Sequence, residues 1–118
     1  MTPLRVLRAG LLWRWFGTRG SADTLLEAVA SQDEQNRMLA GMSLVRAGEK
    51  SFDLIEDQID TGEATPPAVR LLPDIDPSRA RGVMEKVSTR GGDLVETATE
   101  CIDTIDRIES VADDQGKR

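Results

Sequence analysis

LIEDQID, residues 54–60, is a helical-looking scrap of two aliphatics, an acid, a polar pair and a further aliphatic. Its importance lies in its echoes. Leu25-Leu26-Glu27 stands 29 positions upstream and Val83-Met84-Glu85 stands 29 positions downstream. At the same offset Leu11, Ala40, Val69 and Ala98 fall together, as do Trp15, Leu44, Pro73 and Ile102. Self-similarity at a fixed period marks a chain built from copied units.

Each unit reads as two helices. Residues 3–16 place Leu4, Leu7, Leu11 and Trp15 at helical spacing, and a second helix is predicted over 21–31. Ser31 and Glu34 form a capping-box pattern before a helix that can pack through Met38, Leu39, Met42 and Val45, or through Ala40, Leu44 and Ala47. Gly48 suits its end, Ser51 can cap the LIEDQID helix, and Gly62 can close it. Thr65-Pro66 and Asp76-Pro77 each put a capping side chain before a proline at the first helical position. Pro73 should end its helix early. After Gly91-Gly92, the residues Leu94, Val95, Ala98, Cys101, Ile102, Ile105 and Ile108 make one apolar stripe. No alternating strand pattern competes.

A two-helix unit this short cannot bury its own apolar face, whereas stacked neighbours can. The unit length and the pattern Arg37, Ala40, Leu44, Gly48, Leu54-Ile55 and Ile59 resemble HEAT-type helical repeats over roughly residues 21–108. The short prokaryotic variety, also found in phycobilisome-lyase-like proteins, is the nearest in pattern. The resemblance implies an all-α fold, a right-handed α-solenoid of stacked antiparallel helix pairs whose second helices line the concave side. It also implies, as an alternative, a lyase-like or small-ligand-binding role. The chain departs from the pattern in lacking an Asp-x-x-Val-Arg opening and in carrying Pro66, Pro67 and Pro73 in one helix. The expected organisation is a basic aromatic N-terminal helix over 1–20, a repeat domain over 21–112 and a flexible tail over 113–118.

Composition bounds function. The 118 residues suffice for one domain, with 39% hydrophobic and 31% charged residues. A net charge of −6 gives no basic footprint for nucleic acid. The single cysteine permits no internal disulfide, which fits a reducing, cytoplasmic setting. There are three lysines among fifteen basic residues, and this acidic, lysine-poor balance resembles that of proteins from high-salt cytoplasm. No histidine occurs, which excludes Cys–His and Ser–His catalysis and zinc bound by imidazole. Cys101 lies in an apolar stripe, where a thiol is inert. Asp74 and Asp76 lack EF-hand spacing, and Asp76 serves better as an N-cap. No metal or cofactor is expected.

Two candidate surfaces remain. Glu27, Glu56 and Glu85 recur once per unit, and Asp53, Asp57 and Asp60 thicken the stripe in the middle one. Packed helices lie about 8–10 Å apart, too far for these carboxylates to share one cation, so they form either a solvated helix face or an acidic stripe for a basic protein. At the other end, residues 1–22 hold Arg5, Arg8, Arg14 and Arg19 with no acid, and WRWF at 13–16 concentrates three of the four aromatics. That segment reads as an end cap with Leu11 and Trp15 in phase with the repeat. Its alternative is a docking or peripheral membrane segment through Arg8, Trp13, Arg14 and Phe16. The expected function is a non-catalytic protein-interaction scaffold using the acidic concave surface.

Overall fold

The computed structural model describes the backbone of residues 2–116 and side chains as far as Val111. Within these residues all regular structure is helical: α1 Pro3–Phe16, α2 Arg19–Val29, α3 Glu34–Ala47, α4 Glu49–Thr61, α5 Pro66–Val69, α6 Leu72–Ile75, α7 Pro77–Arg90 and α8 Val95–Gly116. The proline-rich unit is two single turns, because Pro73 offers no N–H and its ring crowds the carbonyl of Val69. Capping follows the chemistry but not every expected residue. Asp33 caps α3, its Oδ1 accepting from the Asn36 N–H at 3.1 Å, while Ser31 accepts from the Asp33 N–H. Asp76 caps α7 as its spacing indicates. Ser51 is no cap: it is buried in the first turn of α4, which follows Gly48 directly.

The helices pack on their neighbours in the chain. α1 lies against α2 and α3, α2 against α3, and α3 against α4; α4 meets α6, and α7 is held between α6 and α8. A second set of contacts joins α1 to α3, α3 to α6, and α6 to α8. One apolar cluster runs through all of them, from Val6 to Ile105. The 29-residue offset is visible in burial: Ala40, Val69 and Ala98 are fully buried, and Leu26, Ile55 and Met84 nearly or fully so. The molecule is a slab of 43 × 38 × 25 Å.

The first helix breaks that register. Leu11 and Trp15 should share the buried positions, yet they are 61% and 70% exposed. α1 instead buries Val6, Ala9, Gly10 and Trp13, spaced three and four apart on the opposite side of the turn. Small residues win this side because α1 and α3 approach closely: a Cβ on Gly10 would lie 2.9 Å from Ser43 Cβ. In the same way α3 packs through Ala40 and Leu44 and leaves Met38 and Met42 outside. At the far end α8 runs to Gly116, so the expected tail is helical to that point, and residues 117–118 lie outside the described part.

Candidate functional site

α1 carries apolar residues on two sides. The inner side ends in Trp13, 6% exposed, whose Nε1–H donates to the Ser51 hydroxyl at 2.9 Å. Lys50 completes the joint: its Nζ donates to the carbonyls of Trp13 and Arg14 at 3.1 Å each, and stands 5.6 Å from the Trp13 ring centre. A lysine on the last carbonyls of a helix satisfies groups that have no partner within the helix and suits its negative end. Trp13 is therefore a core anchor, and its placement corrects its assignment to a docking surface.

The outer side is the reverse. Leu4, Leu7, Leu11 and Trp15 form an exposed stripe, with Phe16 exposed at its end. At 3.6 residues per turn, Arg14 and Arg8 border that stripe on its two flanks. A groove of ≈ 560 Å³ beside it is lined by Leu4, Leu7, Leu11, Arg14, Ser43 and Arg46 among others. Arg46 also lines the next groove, ≈ 480 Å³, with Arg37, Met38, Met42, Val45 and Leu71. The two make one apolar face on α1 and α3, edged by guanidinium groups and, at its α6 end, by the Asp74 carboxylate. None of Arg5, Arg8, Arg14, Arg19, Arg37 and Arg46 forms an ion pair among the described residues.

The acidic stripe fares differently. Arg79 on α7 reaches across to α4, where it holds Asp53 at 2.6 Å and Glu56 at 2.9 Å, and lies 4.1 Å from the Phe52 ring centre. The hydrogen bond to Asp53 holds this guanidinium's pKa above its usual value, with burial opposing it. Arg90 pairs with Asp60 at 3.4 Å. Three of the four acids in the thickest patch thus already face a cation of this chain. Glu27, Asp57 and Glu85 stay exposed, on α2, α4 and α7. Farther along, Arg81 bridges Asp106 and Glu109, and Arg70 meets Glu100.

The remaining candidates resolve simply. Cys101 is buried, and burial raises its thiol pKa, the opposite of what a nucleophile needs. Asp76 caps α7 and Asp74 is exposed on α6. Among the described residues no group of three or more His, Cys, Asp or Glu is placed to hold a metal ion, and no helix is long and apolar enough to cross a membrane. Sequence reasoning missed Leu4, Leu7, Leu11, Trp15, Met38 and Met42 as surface residues. The signal was present in α1, where two apolar stripes share one helix and only one can be buried.

No family model, no curated protein and no solved structure matches this chain.

Proposed function

We propose that the chain is a non-catalytic docking module: a short α-solenoid of HEAT-like helix pairs that meets its partner through the outer face of α1 and α3. Support for the solenoid comes from the matching burial of Ala40, Val69 and Ala98 and of Leu26, Ile55 and Met84, and from the row of contacts α1, α3, α6, α8.

One observation carries the docking reading. Five large apolar side chains stand exposed on or at the end of a single helix, in a segment whose only charges are arginines without acidic partners. Contiguous exposed apolar surface of several hundred Å² marks an interaction site rather than ordinary surface. The alternative acidic surface has most of its central charge engaged within the chain, which leaves a basic partner little to gain there. No histidine is present and the one thiol is buried and protonated, so the side chains offer a place to bind rather than a nucleophile–base pair.

A photo-crosslinking amino acid at position 11, compared with one at position 57, tests this in the native cell. Adducts concentrated at position 11 are expected. Adducts at position 57 with none at 11 would move the site to the acidic stripe and end this reading.

A further inference from the structure

We infer that the surface met by the α1 face is an anionic lipid bilayer, on which α1 lies in the plane of the interface. The inference rests on the docking reading above and names its partner.

Three features converge on it. The stripe Leu4, Leu7, Leu11 and Trp15 is bordered by Arg8 and Arg14, so apolar side chains can enter the acyl boundary while the arginines stretch to headgroup level on either side. Trp15 ends the stripe, and an amphipathic indole favours the headgroup zone. Charge then fixes the orientation. Residues 1–22 carry +4 (four arginines, no acid), whereas residues 23–118 carry −10 (11 bases, 21 acids). An anionic surface attracts the first and repels the second, so the molecule lands on α1 with its acidic body pointing away. Arg37 and Arg46 on α3 extend the attracted side, two cations against the single carboxylate of Asp74 in the same groove.

Other occupants fit less well. A second copy docked α1 to α1 would oppose Arg8 and Arg14 with like charges. A second copy docked through its acidic end would offer α1 little apolar surface, since Ile108 and Val111 are the exposed large aliphatics described on α8. A bilayer matches both the apolar stripe and the arginine border, and needs no shaped pocket.

The test is flotation of the full chain with vesicles of equal parts phosphatidylglycerol and phosphatidylcholine, against phosphatidylcholine alone. The expected result is co-flotation with the mixed vesicles only, weakened by added salt. The double variant L7D/L11D should fall to background, and R8E/R14E should lose about tenfold or more in partitioning. Both change exposed side chains, and far-UV circular dichroism checks that each stays folded. Binding should shift tryptophan emission to the blue in wild type but not in Trp15→Phe, which retains only the buried Trp13. Equal binding to both vesicle types, binding untouched by L7D/L11D, or a concentration-dependent dimer that hides the stripe overturns the proposal. Absent vesicle binding also overturns it; a protein adduct at position 11 in the crosslinking experiment would then leave the docking reading standing, and no adduct there would end both.

Discussion

The N-terminal and C-terminal parts of this molecule treat arginine in opposite ways. From residue 53 to residue 109 Arg70, Arg79, Arg81 and Arg90 each reach a carboxylate on another helix, and Arg107 alone of the five arginines there reaches none among the described residues. From residue 5 to residue 46 six arginines reach none among the described residues, and large apolar side chains stand exposed beside them. The first arrangement spends charge on holding helices together. The second leaves charge and apolar surface both unspent, at the same place. A folded chain gains nothing from that by itself, so the contrast teaches where function is to be sought.

The sharpest way to break the contrast is within α1, where two tryptophans two residues apart have opposite environments. Trp13→Ala removes a buried ring and strands the Ser51 hydroxyl, so it should cost about 3–5 kcal/mol in urea unfolding. Trp15→Ala should change stability by no more than about 0.5 kcal/mol. Equal costs would mean that both rings are structural and that the outer stripe is not free.

Next in size is the close approach that leaves the stripe outside. Gly10→Val drives side-chain carbons into Ser43 and should cost about 1–3 kcal/mol. Ser43→Gly in the same chain should restore part of it, because the two changes share one contact. Additive costs in a thermal double-mutant cycle would show that the added side chain is opposed by a contact other than Ser43.

This pair also shows what could be read beforehand. The burial of Ala40, Val69 and Ala98 is legible in their 29-residue spacing. That of α1 is not, since hydrophobicity favours its leucine stripe over Val6, Ala9 and Gly10. Only the approach of α3 reveals that the small-residue side faces inward. The acidic ladder was misjudged for a related reason. Asp53 and Glu56 share α4, but the Arg79 that holds them lies 26 residues after Asp53 and 23 after Glu56, on α7. Spacing within one helix cannot show a partner supplied by another.

On the C-terminal side the comparison predicts a smaller, salt-dependent effect. Arg79→Ala breaks two ion pairs between partly exposed side chains and the contact over the buried Phe52 ring, so about 1 kcal/mol is the expected loss. Molar salt should shrink the difference between wild type and variant by screening the pairs. Arg8→Ala should change neither quantity, having no carboxylate partner to lose. A stability loss in Arg8→Ala equal to that in Arg79→Ala would erase the distinction between the two regions.

The smallest effect concerns Cys101, inside the C-terminal helix that the ion pairs fasten. Burial raises its pKa, with Arg70 pulling the other way and Glu100 and Asp74 adding to the rise. Above the pKa of an unfolded thiol, about 8.5, the unfolded chain releases this proton while the folded chain keeps it. The folded state then binds more protons than the unfolded state, so stability falls as pH rises towards the folded value. Below pH 8 no such contribution is felt. Urea unfolding of wild type and Cys101→Ala across this range isolates it: the alanine variant starts less stable, because it loses a buried sulfur, and the gap should narrow as pH rises. Alkylation gives the same answer by rate. In native protein near neutral pH the thiol should react only as fast as α8 opens, and rapid labelling there would place Cys101 at the surface and loosen α8 from α7.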